Sequence, residues 1–206
     1  MRLQTEQLSC VRGGRSLFGN LSFELAAGEA LIVTGPNGAG KTSLLRIIAG
    51  LLAPADGRVA LNGGELPLGE SCHFVSHHDG VKGALTVMEN LSYSCALLGG
   101  GVDGEPGATP ATALSRLGLG ALGDLPAYVL SAGQKRRLAL SKLLAAPRPV
   151  WLLDEPTAAL DITGKEVLLG MIVEHRARGG MVIVATHLEL ELEDAREIFI
   201  SNGRAV

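Results

Sequence analysis

The chain has 206 residues, a formal net charge of −3, and aromatic side chains at only 3% of its positions. This length allows one domain with a sizeable core. Neither the charge nor the aromatic content is typical of a nucleic-acid-binding surface, so no nucleic acid partner is expected. No segment approaches the ~18 apolar residues that span a bilayer and the start does not resemble a signal peptide, which together predict a cytosolic protein.

The amino-terminal part predicts short antiparallel strands. Residues 3–11 read as one strand, and residues 21–25 alternate apolar and polar side chains as a half-exposed strand does. Gly13 and Gly14 predict a turn, and residues 27–29 predict a tight entry into the next strand.

Residues 35–42 match the phosphate-binding pattern G-x-x-x-x-G-K-[ST] at every defined position. An apolar strand pattern at residues 30–33 precedes the loop and a helical pattern at residues 43–49 follows it. Such a loop directs backbone N–H groups and a helix dipole at phosphate oxygens, while Lys41 reaches the β- and γ-phosphates and Thr42 ligates Mg²⁺. A glycine-rich turn with a chance lysine is the alternative, against which both flanks argue. The predicted nucleotide-binding residues of this loop are Gly35, Pro36, Asn37, Gly38, Ala39, Gly40, Lys41, Thr42 and Ser43.

The middle of the chain predicts two further strands and then a helical lobe. Residues 54–57 should end the first helix, and residues 58–61 and 73–76 read as strands. From about residue 85 to 146 the pattern becomes helical, beginning with a Thr86–Glu89 capping box. Further helices are predicted at residues 111–117 and after residue 131, and a glycine-rich surface loop at residues 99–110.

The last third predicts a parallel sheet. Residues 150–153 and 181–185 are continuous apolar runs, as strands covered on both faces require, and residues 163–178 supply the crossover helix. Residues 198–200 and 204–206 flank a hairpin-type turn, Asn202-Gly203. The elements together predict an α/β core with an inserted helical lobe.

Paired acids follow the first of these apolar strands. Asp154, at the end of the strand, is expected to hold Mg²⁺ through water, and Glu155 is expected to orient and deprotonate an attacking water. The alternative is a core strand that ends in a solvated acidic turn. The phosphate loop earlier in the chain favours the catalytic interpretation.

The segment Leu130-Ser131-Ala132-Gly133-Gln134 predicts an anion-binding helix start. Ser131 and Gln134 form an S-x-x-Q capping box, and the small residues Ala132 and Gly133 leave the first turn open to a phosphate. An ordinary helix start with a basic flank at residues 135–137 is the alternative.

At this segment the chain resembles the ATP-binding cassette family, whose signature LSGGQ appears here with Ala132 for the first glycine. Residues 159–161, ending in Asp161, resemble its D-loop, and Thr186-His187 resembles its switch histidine. The resemblance implies a P-loop NTPase (RecA-like) α/β core with an antiparallel β subdomain and an α-helical subdomain inserted at about residues 85–146, all in one nucleotide-binding domain, 1–206.

The resemblance also implies a head-to-tail homodimer. The phosphate loop of one subunit and Ser131, Gly133 and Gln134 of the other are expected to bind the same ATP. His187 is expected to contact the γ-phosphate and to link the water, Glu155 and the partner's Asp161. ATP and Mg²⁺ are therefore the implied ligands.

Two positions depart from the family pattern. His78 stands where most members have a glutamine that contacts Mg²⁺ and senses the γ-phosphate, so we expect retained function with altered coupling. The aromatic residue that usually stacks on adenine is absent near residues 11–12. Arg12 is the predicted substitute because a guanidinium can stack on a base, and tolerance of GTP is expected.

Other residues that could bind metal are interpreted as structural. His73 and His77 lie four apart in a strand-to-loop context, which favours structural roles over metal or haem ligation. Cys10, Cys72 and Cys95 lack metal-site spacing and are predicted to be reduced thiols. The acidic stretch at residues 189–193 is predicted to be a solvated helix surface.

Residues 76–91, together with residues 130–137, resemble the ATP-binding subunits of bacterial cytochrome c maturation haem exporters. This implies ATP-driven haem handling by a peripheral subunit on the cytoplasmic face of the inner membrane, with transmembrane subunits as partners and no direct haem binding. An ATPase for another exported substrate, and a soluble cassette ATPase of assembly or repair, remain the alternatives.

Overall fold

The computed structural model describes residues 1–99, 108–187, 190–201 and 204–205. Its strands are β1 Arg2–Arg12, β2 Arg15–Ala26, β3 Ala30–Thr34, β4 Asp56–Asn62, β5 Cys72–Val75, β6 Val150–Asp154, β7 Met181–Ala185, β8 Arg196–Ser201 and β9 Arg204–Ala205. Its helices are α1 Lys41–Ile48, α2 Val87–Leu98, α3 Pro110–Arg116, α4 Ala132–Ala145 and α5 Ile162–Ala177, with 3₁₀ turns at Gly120–Leu122 and Ala127–Val129. Most of the predicted 99–110 loop and the predicted 202–203 turn lie outside the described residues.

The first strands form a three-stranded antiparallel sheet in the order β2-β1-β4. Its inner face buries apolar side chains such as Leu3, Leu25 and Phe18, so the predicted half-exposed strands are confirmed. Gly13 and Gly14 connect β1 to β2 with φ values of 56° and 75°, the positive values that a tight hairpin turn needs. The turn therefore suits glycine at both positions.

The second sheet has the order β5-β6-β7-β3-β8-β9, in which the first five strands are parallel and β9 pairs antiparallel with β8. Every residue of β6 and β7 is buried, as their continuous apolar sequences predict. Because β6, β7 and β3 are parallel neighbours, the segments that follow their carboxyl ends meet at one edge of the sheet. This edge collects the phosphate loop, the paired acids and Thr186-His187.

The chain forms two compact units, one of residues 1–76, 148–156 and 171–206, and one of residues 77–147 and 157–170. The second unit contains α2, α3 and α4. The capping boxes predicted in it are both confirmed, at Thr86 with Glu89 and at Ser131 with Gln134. A single nucleotide-binding domain over residues 1–206, with its helical subdomain at about 85–146, stays a prediction.

Two local predictions are wrong. The first helix ends at Ile48, before the predicted residues 54–57, because Gly50 turns the chain away with a φ of 71°. The acidic stretch is not helical where it is described, since residues 190–192 have no regular structure. Leu192 is buried between exposed acids and Asp194 has a φ of 55°, a pattern incompatible with one continuous helix face.

The three cysteines are free and buried, as predicted for structural thiols. Burial raises the pKa of Cys72 to about 12 and also raises the pKa of Cys95. Such thiols are protonated at neutral pH and are therefore poor nucleophiles and poor metal ligands.

Candidate active site

The phosphate loop leads into a helix whose start carries no side-chain cap. Gly40 precedes α1 with a φ of 115°, and no acidic residue lies in the first turn. The first amides of a helix have no intrahelical acceptor, so they are available to an anion. An added Cβ at Gly35 would collide with the carbonyl oxygen of Ile200, and one at Gly40 would lie 3.0 Å from Phe18. The neighbouring backbone and β2 therefore require glycine at both positions.

Lys41 is buried within the loop. Its Nζ donates hydrogen bonds to the carbonyl oxygens of Gly35, at 2.7 Å, and of Pro36, at 3.2 Å. Only 7% of the residue is exposed. A buried ammonium held by carbonyls alone provides a positive charge suited to phosphate oxygens.

Thr42 and Asp154 contact each other across the sheet edge. The Thr42 hydroxyl donates to both carboxylate oxygens of Asp154, at 3.0 and 2.9 Å, and Asp154 is buried. Hydroxyl and carboxylate oxygens are hard ligands of the kind that Mg²⁺ prefers. The donor set therefore fits the magnesium ion predicted for these two residues.

Glu155 is oriented by the segment that follows β7. Its carboxylate accepts from the Thr186 hydroxyl at 3.2 Å and lies 2.8 Å from Nδ1 of His187. Its backbone N–H donates to the Ala185 carbonyl at 2.8 Å, and its φ of 48° is unusual for a residue with a side chain. The carboxylate is thus held in one place beside Asp154, which suits it to receive a proton.

In the second unit, a capping box formed by Ser131 and Gln134 begins helix α4. The backbone N–H of Ser131 donates to the Gln134 side chain at 2.9 Å, and the Ser131 hydroxyl accepts from the Gln134 N–H at 3.2 Å. Ser131 and Ala132 are exposed. A Cβ on Gly133 would lie 2.7 Å from the carbonyl oxygen of Ala159, so glycine lets the two segments touch.

Asp161 has a local role in this unit. Its Oδ1 accepts from the backbone N–H of Gly164 at 2.9 Å in the first turn of α5, and its Oδ2 lies 3.9 Å from Arg137. The side chain is 63% exposed. A contact across a dimer interface stays a prediction for this residue.

The structure brings together some of the predicted site residues and assigns the others to the second unit. The first unit joins the phosphate loop to Asp154, Glu155 and His187, whereas Ser131, Gly133, Gln134, Asp161 and His78 belong to the second. The His78 ring lies 4.0 Å from that of His77, and Arg12 is exposed at the end of β1. The metal and nucleotide roles of His78, and base stacking by Arg12, stay predictions.

Sequence reasoning missed a cavity of about 90 Å³ beside the phosphate loop. It is lined by Arg15, Ser16, Leu17, Pro36, Asn37, Gly38 and Ala39. The Gly13-Gly14 turn was the available sequence signal for the position of Arg15, because a tight hairpin turn pairs the start of β2 with the end of β1. It also missed Thr186 as a partner of Glu155.

None of the helices in the described part of the chain has both the length and the hydropathy that crossing a bilayer requires. Within the same residues, no group of three or more His, Cys, Asp or Glu side chains is arranged to hold a metal ion.

The amino-acid sequence matches a known protein family and is similar to proteins from two named bacteria. Residues 18–158 match the family described as ABC transporter. The cytochrome c biogenesis ATP-binding export protein CcmA of Nitrobacter winogradskyi is 52% identical over 205 residues, covering 98% of this chain and 100% of that protein. Its counterpart in Bradyrhizobium diazoefficiens is 51% identical over 203 residues, covering 97% and 98%.

Solved structures share the fold. A putative ABC transporter ATP-binding protein from Pyrococcus furiosus superposes with a TM-score of 0.82 at 25% identity, over 97% of this chain and 98% of that one. A bacterial Atm1-family ABC exporter with ATP bound superposes with a TM-score of 0.81 at 23% identity, over 98% of this chain and 37% of that one. The predicted fold class is confirmed.

Proposed function

Because this chain belongs to the ABC transporter family and is an ATPase of the cytochrome c biogenesis export type, we propose that it acts as a Mg²⁺-dependent homodimer that powers a haem-handling membrane complex. One observation supports ATP hydrolysis above all: Thr186 and His187 both contact the carboxylate of Glu155, the residue that follows Asp154. Asp154 contacts Thr42, whereas Glu155 contacts Thr186 and His187, so we assign the two acids different roles.

The phosphate loop binds the triphosphate through its amides, the α1 dipole and the Lys41 ammonium. Thr42 and Asp154 would hold Mg²⁺, and the bound ion would neutralise part of the negative charge of the phosphates. Phosphoryl transfer needs mainly positioning and electrostatic stabilisation, which this arrangement provides.

Glu155 is the general base in this proposal. A water oxygen attacks the γ-phosphorus, the bond to the β–γ bridging oxygen breaks, and the proton of the water passes to Glu155. When both ring nitrogens carry protons, His187 donates from Nδ1 to the Glu155 carboxylate and can donate from Nε2 to a γ-phosphate oxygen. Thr186 donates to the other carboxylate oxygen. These two contacts hold the carboxylate in one orientation.

The signature helix completes the site from a second copy of the chain. Ser131 caps α4 while remaining exposed, and the start of the helix offers amides and a hydroxyl to a phosphate. Gly133 and Gln134 lie in the same first turn, and exposed Asp161 packs nearby through Arg137. An exposed anion-binding helix start supports a head-to-tail homodimer in which each ATP contacts both subunits.

The wider assembly follows from the relatives. The proteins of Nitrobacter and Bradyrhizobium are named as cytochrome c biogenesis ATP-binding export proteins. By likeness to them, this chain works on haem handling at the cytoplasmic face of the inner membrane, bound to transmembrane subunits. Haem itself is expected to contact those partners and not this chain.

The test of the base is Glu155→Gln, which keeps the shape of the side chain and removes its basicity. ATP binding should persist, turnover should fall by about 100-fold or more, and ATP should trap the dimer, as seen by light scattering. Glu191→Gln, at an exposed acid, is the matched control. Unchanged hydrolysis by Glu155→Gln rejects Glu155 as the base.

The test of the assembly is affinity purification of the tagged chain from detergent-solubilised membranes, followed by identification of the proteins that co-purify. Transmembrane subunits should be recovered, and loss of the gene should abolish holocytochrome c. Recovery from soluble extract alone would contradict the exporter assignment.

A further inference from the structure

Two arginines face each other at the tip of the β1–β2 hairpin. The register of the two strands pairs Arg12 with Arg15 directly, across the two-residue turn of Gly13 and Gly14. Like charges in this position repel each other and destabilise a sheet. The positive φ values of both glycines make the turn tight. Residues directly opposite in an antiparallel pair have Cβ atoms about 4.5–5.5 Å apart.

Neither guanidinium has an acidic partner among the described residues, and both residues are exposed. Other arginines of the same sheet do pair, since Arg2 lies 3.1 Å from Glu24 and Arg58 lies 2.8 Å from Glu6. The hairpin tip therefore carries two neighbouring positive charges, Arg12 and Arg15, without an acidic side chain beside them among the described residues. Elsewhere in the same sheet, arginines pair with glutamates.

This charge lies beside the phosphate loop. Arg15, Ser16 and Leu17 line the cavity of about 90 Å³ together with residues 36–39. A Cβ added at Gly40 would lie 3.0 Å from the Cβ of Leu17, so β2 packs closely against the end of the phosphate loop. No residue that lines the cavity is aromatic, so nothing there can stack on a base as a ring does.

We propose that Arg15, with Arg12 adding its charge from across the hairpin, binds the phosphate groups of the nucleoside triphosphate. The substrate class is a nucleoside triphosphate recognised by its negative charge and only weakly by its base. A guanidinium pairs well with phosphate oxygens, and an arriving anion relieves the repulsion between the two arginines. This inference rests on the proposed ATPase function.

The experiment measures binding of Mg²⁺ complexes of ATP, GTP and inorganic tripolyphosphate by calorimetry. Arg15→Ala should weaken all three by about tenfold, and the double variant with Arg12→Ala by more. Arg15→Lys should restore most of the affinity because it keeps the charge. Raising the salt concentration should weaken binding to the wild type more steeply than to the double variant.

Arg178→Ala, at an exposed arginine after α5, is the matched control and should bind as the wild type does. Losses for ATP and GTP without loss for tripolyphosphate would overturn the inference in favour of base stacking. Unchanged affinities in the double variant would also overturn it. A wild-type protein that fails to bind or hydrolyse ATP would instead refute the proposed function, which keeps the two failures distinct.

Discussion

Asp79 and Arg136 form an ion pair that joins the segment after β5 to helix α4. Nη1 of Arg136 donates to Oδ1 of Asp79 at 3.0 Å, with the two side chains 3% and 24% exposed. The pair links the neighbour of His78 to the helix that begins after Ser131. Burial, and then the charge of Arg136, lowers the pKa of Lys142 on the same helix, whereas Asp79 raises it. Asp79 thus balances positive charge inside the unit.

Asp79→Asn should lower the free energy of unfolding by about 3 kcal/mol, because it removes the negative charge of Asp79 from beside the buried Arg136 guanidinium. Urea unfolding gives the difference, with Asp124→Asn at an exposed position as control. Adding Arg136→Met should recover part of the loss. Equal stability of the two single Asn variants would contradict a structural role for the pair.

His187→Ala should lower kcat by about 10- to 100-fold with a smaller change in KM, because Glu155 loses the donor that aims its carboxylate. Steady-state phosphate release measures both constants. Thr186→Val should have a milder effect in the same direction, and Thr186→Ser, which keeps the hydroxyl, should behave as the wild type. A change confined to KM would show that His187 acts in binding alone.

Asp154→Asn and Thr42→Val should each lower the affinity of the nucleotide complex for Mg²⁺, since each removes one of the two side chains expected to hold the ion. Titration of Mg²⁺ at constant ATP measures the midpoint, which should rise by about tenfold. Chelation by EDTA should abolish hydrolysis in the wild type. Midpoints identical to that of the wild type would argue against these residues as ligands.

Gly133→Ala should destabilise the protein by about 1–3 kcal/mol and slow hydrolysis, because the new Cβ would meet the Ala159 carbonyl and displace the segment that leads to Asp161. Ala132→Gly is the matched control, and it restores the family signature. Its cost should stay below about 1 kcal/mol. If both variants unfold alike, the close approach at Gly133 is unimportant.

His175 should make the protein sensitive to acid. Its ring stacks on Trp151 at 3.9 Å, and burial lowers its pKa from 6.5 to about 4. Between these values the unfolded state binds the proton and the folded state does not, so stability should fall as pH drops below 6.5, by up to about 1.4 kcal/mol per unit. His175→Phe keeps a stacked ring and should flatten this dependence. Fluorescence of Trp151, the single tryptophan, reports the unfolding.

Features made by contiguous residues were predicted well. The two buried strands β6 and β7 and the capping boxes at Thr86 and Ser131 all depend on residues a few positions apart. Local sequence contains the whole geometry of a cap or a tight loop, so no tertiary information is needed to predict one.

Features that depend on contacts between residues far apart in the sequence were missed or predicted wrongly. Arg15 became a candidate only when strand pairing placed it opposite Arg12 and beside the loop. The ion pair of Asp79 and Arg136 spans 57 positions, and no local pattern signals it. The acidic stretch after β7 was predicted as helix because charge alone does not show that Leu192 is buried.

The amino-acid sequence by itself determined which groups this protein can present: a phosphate-binding loop, a hydroxyl, two adjacent acids, a histidine and a capped helix start. Only the tertiary structure decided which of these groups meet. Thr42 reaches Asp154 across 112 positions and Glu155 reaches His187 across 32, because β3, β6 and β7 lie in one parallel sheet and end at the same edge. Strand order and register are properties of the packed sheet, and no single segment encodes them.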